Sequence, residues 1–190
     1  MAWADLPDAA AEEAQERLHR HNAADPAYRG FVGRLIKPML AFLRPGDHGL
    51  DYRCGWGPAG TELMRDAGMT ITRFDPLSGS DEEALTRRYD FVLCCEVAEH
   101  FHRPAEEFDR LDTLLEPGGW LAIVTGFAPP GRDVAQVHYR RNPTQAVFYR
   151  KASFARIAGD RGWHPVFPAP NVALLRKPRR IRRDGRGRSD

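Results

Sequence analysis

Leu50-Asp51-Tyr52-Arg53-Cys54-Gly55-Trp56-Gly57 reads as the end of a strand turning into a glycine-rich loop. Loops of this kind bring the backbone close to a nucleotide-like ligand, yet an arginine stands where another glycine is expected. Three readings stay open at this point: a cofactor loop, a cofactor loop that has lost its ligand, or a tight turn. Extended to Gly60, the stretch satisfies G-x-G-x-x-G, and Asp75 follows Gly55 by twenty residues, suitable for a ribose hydroxyl. Alone, this fits a nicotinamide enzyme nearly as well as a nucleoside-binding transferase. Two features favour the second. A dinucleotide site needs two mononucleotide halves plus a catalytic domain, which 190 residues barely accommodate. Asp51 also puts a carboxylate beside the loop, where it repels a pyrophosphate and suits a ligand with an ammonium group.

The flanking pattern alternates. Val32, Leu35, Ile36, Met39, Leu40 and Leu43 lie on one helical face, with Pro38 expected to kink that helix and Pro45-Gly46 to end it. Gly49–Tyr52 reads as a strand, Pro58–Ala67 as a helix stopped by Gly68, and Met69–Phe74 as a strand. Asp81–Arg88 is a short helix and Tyr89–Cys95 an apolar strand. Pro104 opens a helix burying Phe108, Leu111, Leu114 and Leu115, and Glu116-Pro117-Gly118-Gly119 turns the chain into a strand over Trp120–Thr125. Ser153 is placed to cap a helix reaching Arg161, and Trp163–Phe167 with Val172–Leu175 form a closing hairpin. The expected fold is α/β, a Rossmann-like, mostly parallel sheet with helices on both faces.

Hydrophobic residues at 42% and charged residues at 28% are globular values. The net charge of +2 hides an asymmetry, because residues 176–190 carry eight basic groups against two aspartates. Residues 1–25 read as a loosely attached helical segment, 26–177 as the main domain and 178–190 as a basic, disordered tail. That tail is read chiefly as solvated, with salt-dependent RNA or DNA affinity as the alternative. No apolar run approaches the ~18 residues needed to span a bilayer, and no secretory signal is seen. Cys54, Cys94 and Cys95 are odd in number, with the adjacent pair on opposite sheet faces, so buried thiols in a reducing cytoplasm are expected.

Four stretches in order carry a family resemblance: LDYRCGWGPAG, ITRFDP, YDFVLCCEVAEHF and LLEPGGWLAIVT. With these the chain resembles a class I S-adenosylmethionine-dependent methyltransferase of the small type-11/type-23 sort over roughly residues 25–177. HYRRNPTQAVFYR is similar to a subgroup pattern as well, with Gln145 in place of its histidine. The resemblance implies an antiparallel final strand and S-adenosyl-L-methionine bound across the first, second and fourth strands. It implies that Asp51, Cys54, Gly55 and the following Gly57 face the methionine part, and that Asp75 holds the ribose, with Pro76 against the adenine. It also implies that Cys95, Glu96 and Val97 line the cofactor and that His100 lies near the transferred methyl. Fourteen residues between Asp75 and Asp90 leave the third strand reduced or missing, and the adenine pocket shallow.

Methyl transfer from a sulfonium needs alignment, and a base only where the nucleophile must lose a proton. His100 is the candidate base; its other reading is a helix-start histidine bonded to a carbonyl. His102 completes an H-x-H without a third ligand in view, so no metal is expected. Glu99 is an acid near a helix start, and Asp90 a structural acid. Tyr139, Arg141 and Tyr149, following the fifth strand of the family pattern, are candidate contacts for a small-molecule acceptor. Arg53 has three readings: filling the methionine slot, pairing with Asp51, or clamping the cofactor carboxylate.

Overall fold

The structure is a computed structural model, and it describes residues 25–55, 59–76, 82–128 and 144–179. Helix α1 (Pro26–Leu40) starts where the Asp25 side chain accepts from Ala27 N–H at 2.9 Å. Strand β1 (His48–Tyr52) leads to helix α2 (Ala59–Asp66) and strand β2 (Thr70–Phe74). A 3-10 turn over Glu82–Thr86 precedes strand β3 (Tyr89–Cys95), and a second over Ala98–His100 precedes helix α3 (Pro104–Leu114). Strand β4 (Leu115–Val124), helix α4 (Lys151–Arg161), strand β5 (His164–Ala169) and strand β6 (Val172–Arg176) complete the order.

The six strands run β2-β1-β3-β4-β6-β5 across one sheet. β2, β1, β3 and β4 are mutually parallel, while β6 is antiparallel to β4 and β5 antiparallel to β6. Sheet pleat sorts the side chains into two cores. Val92, Cys94, Leu121 and Ile123 pack on one face with Phe108 and Leu111 of α3 and Phe154 of α4. Phe91, Leu93, Ala122 and Val124 pack on the other with Leu35 and Met39 of α1 and Met64 of α2. Cys94 belongs to the first core and Cys95 borders the second, as the alternation requires. Among the described residues, β2 is the outermost strand on that side and is contacted by the 3-10 turn over Glu82–Thr86, with no third strand extending the sheet there.

Four local expectations need correction. α1 ends at Leu40 rather than at Pro45-Gly46, where Phe42 N–H turns back to the Met39 carbonyl at 3.0 Å. Leu115 begins β4 instead of closing α3, and pairs with Tyr89. Glu116-Pro117-Gly118-Gly119 is therefore a bulge inside β4, because Phe91 pairs next with Trp120. Ser153 acts from inside the first turn of α4, its Oγ accepting from Arg150 N–H at 3.1 Å. The basic stretch also begins within the fold: Arg176 is the last residue of β6, and Lys177 Nζ donates to the Asp112 and Leu115 carbonyls at the end of α3. Residues 1–24 and 180–190 lie outside the described residues. Among the described residues no helix is long and apolar enough to cross a membrane.

One close approach fixes the centre of the sheet. A Cβ on Gly49 would stand 2.1 Å from the buried Phe91 ring on the neighbouring strand. Gly49→Ala should therefore lower unfolding free energy by about 1–3 kcal/mol through overpacking. Urea denaturation checks this; an unchanged midpoint would show that the ring yields freely.

Candidate active site at the strand carboxyl ends

Strand order reverses at β1, which has β2 on one side and β3 on the other, so a crevice opens at their carboxyl ends. Asp51 lies there, 2% exposed. Its Oδ2 accepts from Thr61 Oγ1 at 2.8 Å, a residue of α2 that sequence reading passed over. Gly60 lies against the same pair, its Cα side facing Asp51 Oδ2 and Cys95 Sγ, where a Cβ would make ordinary contacts at 3.4 and 3.7 Å.

The loop after β1 is held from β2. Gly55 N–H donates to Asp75 Oδ2 at 2.7 Å, and Cys54 N–H to the Phe74 carbonyl at 3.2 Å. Arg73 adds two contacts, Nε to Cys54 Sγ at 3.3 Å and a terminal nitrogen to the Gly55 carbonyl at 2.9 Å. Nothing local singles out Arg73, because its partners lie eighteen and nineteen residues earlier. Asp75 is 2% exposed and Pro76, beyond it, is exposed.

Arg53 and Glu96 are the two non-glycine residues with positive φ among those described, at 53° and 54°. They close the adjacent strands β1 and β3. An L-residue in that conformation costs about 1–2 kcal/mol, and such strain concentrates where backbone is shaped for a ligand. Glu96 N–H is tied to the Val124 carbonyl at 2.9 Å. The Asp51 carboxylate bonds Thr61, and Arg73 is a cation whose charge bears on it. The charge of Arg53 is felt at Cys94, on the other face of the sheet.

Tyr28 of α1 reaches the same crevice. Burial raises its phenol first, and the charges of Cys95, Glu96, Asp51 and Cys54 raise it further. Arg29 beside it fastens α1 to α2 through Glu62 at 2.7 Å. Tyr28 was also missed in the sequence, where it reads as one residue of an exposed helix start.

The turn after β3 carries the remaining candidates. Val97 is buried, and His100 Nδ1 lies 2.9 Å from the Thr144 carbonyl, so this nitrogen carries the proton and donates. The carbonyl-bonded reading of His100 is thus met in the structure, and Nε2 is the basic nitrogen of the neutral ring. Ala146 and Val147 N–H both donate to the Glu99 carbonyl at 2.9 Å, and Ala128 N–H donates to the Tyr149 carbonyl at 2.7 Å. The segment from Thr144 to Tyr149 is thereby strapped over the carboxyl ends of β3 and β4. Tyr149 is buried, stacked on Phe154 at 4.7 Å between centroids. Asp90 accepts from His48 N–H at 2.9 Å, a structural contact at the far end of β3. Gly57, Tyr139 and Arg141 lie outside the described residues.

This architecture defines a class: an open α/β sheet with a ligand crevice at its switch point and a reversed final strand. Residues 19–166 match the methyltransferase domain family, and the chain belongs to that family. It is similar to a SAM-dependent methyltransferase from Archaeoglobus fulgidus, at 13% identity and TM-score 0.60, covering 78% of this chain and 94% of that one. Human N-acetylserotonin methyltransferase, solved in complex with SAM, matches at 16% identity and TM-score 0.55 over 75% of this chain and 51% of its own. An O-methyltransferase family protein from Burkholderia thailandensis matches at 14% identity and TM-score 0.50 over 82% and 60%. This chain thus spans little more than half of the last two proteins. No curated protein matches the sequence.

Asp51 makes the site pH-sensitive. Burial lifts its carboxyl from 3.8 to about 6, against the opposing Thr61 bond and Arg73 charge. Between those values the folded chain holds a proton that the unfolded chain has released, so stability falls as pH rises through that window. The loss approaches about 3 kcal/mol. Glu99, raised to about 7, acts with the same sign over a higher range. Asp51→Asn should remove the Asp51 share, flattening the stability profile between pH ~4 and ~6 relative to wild type. Identical profiles in urea denaturation would contradict this assignment.

Proposed function

We propose that the protein is an S-adenosylmethionine-dependent methyltransferase acting on a small-molecule acceptor. The observation that carries this reading is Asp51: a buried carboxylate at the switch point, bonded by a neutral hydroxyl, beside the loop that leaves β1. Burial raises its pKa to about 6 even with the Arg73 charge nearby. The ammonium of the cofactor's methionine end adds a positive charge beside it, which favours the carboxylate form.

When bound, the cofactor supplies an electrophilic methyl on a positively charged sulfur. The chain's own work is alignment and electrostatics. Asp51 takes the ammonium, Arg53 clamps the carboxylate, and the Cys54–Gly55 backbone lies along the methionine part. Asp75 keeps one oxygen on Gly55 N–H and offers the other to the ribose. Pro76 borders the adenine at an exposed edge, consistent with a shallow pocket. Cys95, Glu96 and Val97 line the opposite wall, where the acidic edge suits a sulfonium. His100 Nε2 is the base for an acceptor that must lose a proton, its ring oriented by the Thr144 carbonyl. Tyr139, Arg141 and Tyr149 contact the acceptor. Three free thiols and no membrane-length helix among the described residues fit a cytoplasmic setting.

Calorimetry with S-adenosylmethionine should show saturable binding, and saturation at about 100 times Kd should add about 2.7 kcal/mol to stability. Absence of heat and of any melting shift at millimolar cofactor would end this reading. Arg53→Gly tests the clamp: loss of a charge-assisted bidentate bond should weaken binding about tenfold or more. Tighter binding in that variant would show that Arg53 obstructs the slot.

A further inference from the structure

The end of the sheet opposite the crevice brings an exposed aromatic stack and a group of arginines together. Phe42, just past α1, is 44% exposed and lies on Trp120, with ring centroids 4.3 Å apart and planes 29° from parallel. Arg176, the register partner of Trp120 on β6, places its guanidinium 5.4 Å from the centre of the same indole. Its Nε donates to the Gly118 carbonyl at 3.5 Å, in the bulge near the start of β4. Gly118 has φ 92°, and a Cβ there would stand 2.9 Å from Arg179 Cγ and 3.2 Å from Arg179 Nε. Glycine suits both this backbone conformation and the close approach of Arg179. Arg179 also lines a groove of about 350 Å³ with Arg88, Lys177 and Asp112. It thus joins the groove to the aromatic stack.

The charges of the groove are unevenly spent. Lys177 pairs with Asp112 at 3.2 Å and donates to carbonyls at the end of α3, which neutralises the acid in the groove. Arg88 and Arg179 are exposed and enter no ion pair among the described residues. Glu116, exposed beside the lining residue Pro117, is the opposing acid. Open guanidinium groups suit phosphate oxygens, which they bind bidentately. An exposed aromatic ring suits an unpaired base, since every base offers a π face. The sequence continues with Arg180, Arg182, Arg183, Arg186 and Arg188, so basic residues run on from the groove. A membrane fits less well. Phe42 and Val166 are the exposed large apolar side chains among those described, too few to enter a bilayer interface. An acidic peptide would use the cations and leave the ring idle.

We propose that Phe42, Arg88, Arg176 and Arg179 form a docking surface for single-stranded nucleic acid, with a base stacked on Phe42 and phosphates on the arginines. The surface lies at the amino ends of β3 and β4, a strand length of about 17–20 Å from the crevice. Nucleic acid held there is not the acceptor of the crevice. The function is separate from methyl transfer and stands whether or not the crevice binds the methyl donor.

The test is fluorescence anisotropy of the full chain with a labelled single-stranded RNA of alternating cytidine and adenosine. Saturable binding in the micromolar range is expected at about 0.1 M salt, weakening as salt rises. Phe42→Ala should weaken it about fivefold or more at an unchanged salt slope, and Phe42→Tyr should restore it. Arg88→Ala with Arg179→Ala should weaken it and make the slope of log K against log salt shallower by about 1.4, about 0.7 for each lost phosphate contact. DNA of the same sequence should bind within a few-fold, since phosphates and base faces are shared, and a duplex should bind more weakly because its bases are already stacked. Absence of saturation up to about 100 micromolar RNA would overturn the proposal. So would binding that the Phe42 and arginine variants leave unchanged, which residues 180–190 acting alone predict, or a duplex bound as tightly as the single strand. Capture of the chain by phosphatidylserine vesicles without any RNA binding would assign the surface to a membrane instead.

Discussion

The hydrogen bond from Gly55 N–H to the Asp75 carboxylate, 2.7 Å long and part-buried at the switch point, governs the rest of the site. It joins the loop leaving β1 to the end of β2 and so sets the width of the crevice between them. Arg73 reinforces the same junction by bonding the Gly55 carbonyl and the Cys54 sulfur. With the loop pinned, the chain can hold Arg53 in a conformation that an L-residue resists, since its neighbours on both sides are fixed. Glu96, at the end of the next strand, repeats the arrangement, anchored by its own N–H to Val124.

Around this junction the electrostatics lean one way. Asp51, Asp75, Glu96 and Glu99 gather at the carboxyl ends of β1, β2 and β3, and two of them are raised by burial. A site that keeps desolvated acids gives up stability near neutral pH in exchange for affinity toward cations. The methyl donor proposed for it carries positive charge, as ammonium and sulfonium. The opposite end of the sheet is the reverse, a groove lined by Arg88, Lys177 and Arg179, where the basic stretch begins.

Much of the fold was legible because apolar periodicity and turn residues act locally. Tyr89–Cys95 is bounded in the structure as its apolar run suggested, and Gly162 ends α4 in a left-handed conformation, φ 67°. The bulge at Glu116–Gly119 was misread as a turn between elements, because strand pairing with Tyr89 is decided across the sheet and leaves no local mark. The same physics divides the site. Asp51, Gly55 and Asp75 sit in a loop whose spacing reflects what the backbone must do, so they were visible. Thr61, Arg73 and Tyr28 act through contacts between elements, and Glu99 acquires its character from burial beneath a segment about fifty residues later. Arg53 illustrates the boundary: its odd identity was plain in the sequence, while its positive φ of 53° depended on which way the loop turned.

The central claim is that one crevice, built on the Gly55–Asp75 bond, binds the methyl donor. Amide NMR during titration with S-adenosylhomocysteine, the demethylated cofactor, tests this most directly because it reports location along with binding. The account predicts saturable shifts at Arg53, Cys54, Gly55, Asp75, Glu96 and Val97, with Arg88, Lys177 and Arg179 unmoved. Shifts confined to the basic end of the sheet, or none that saturate, would contradict it.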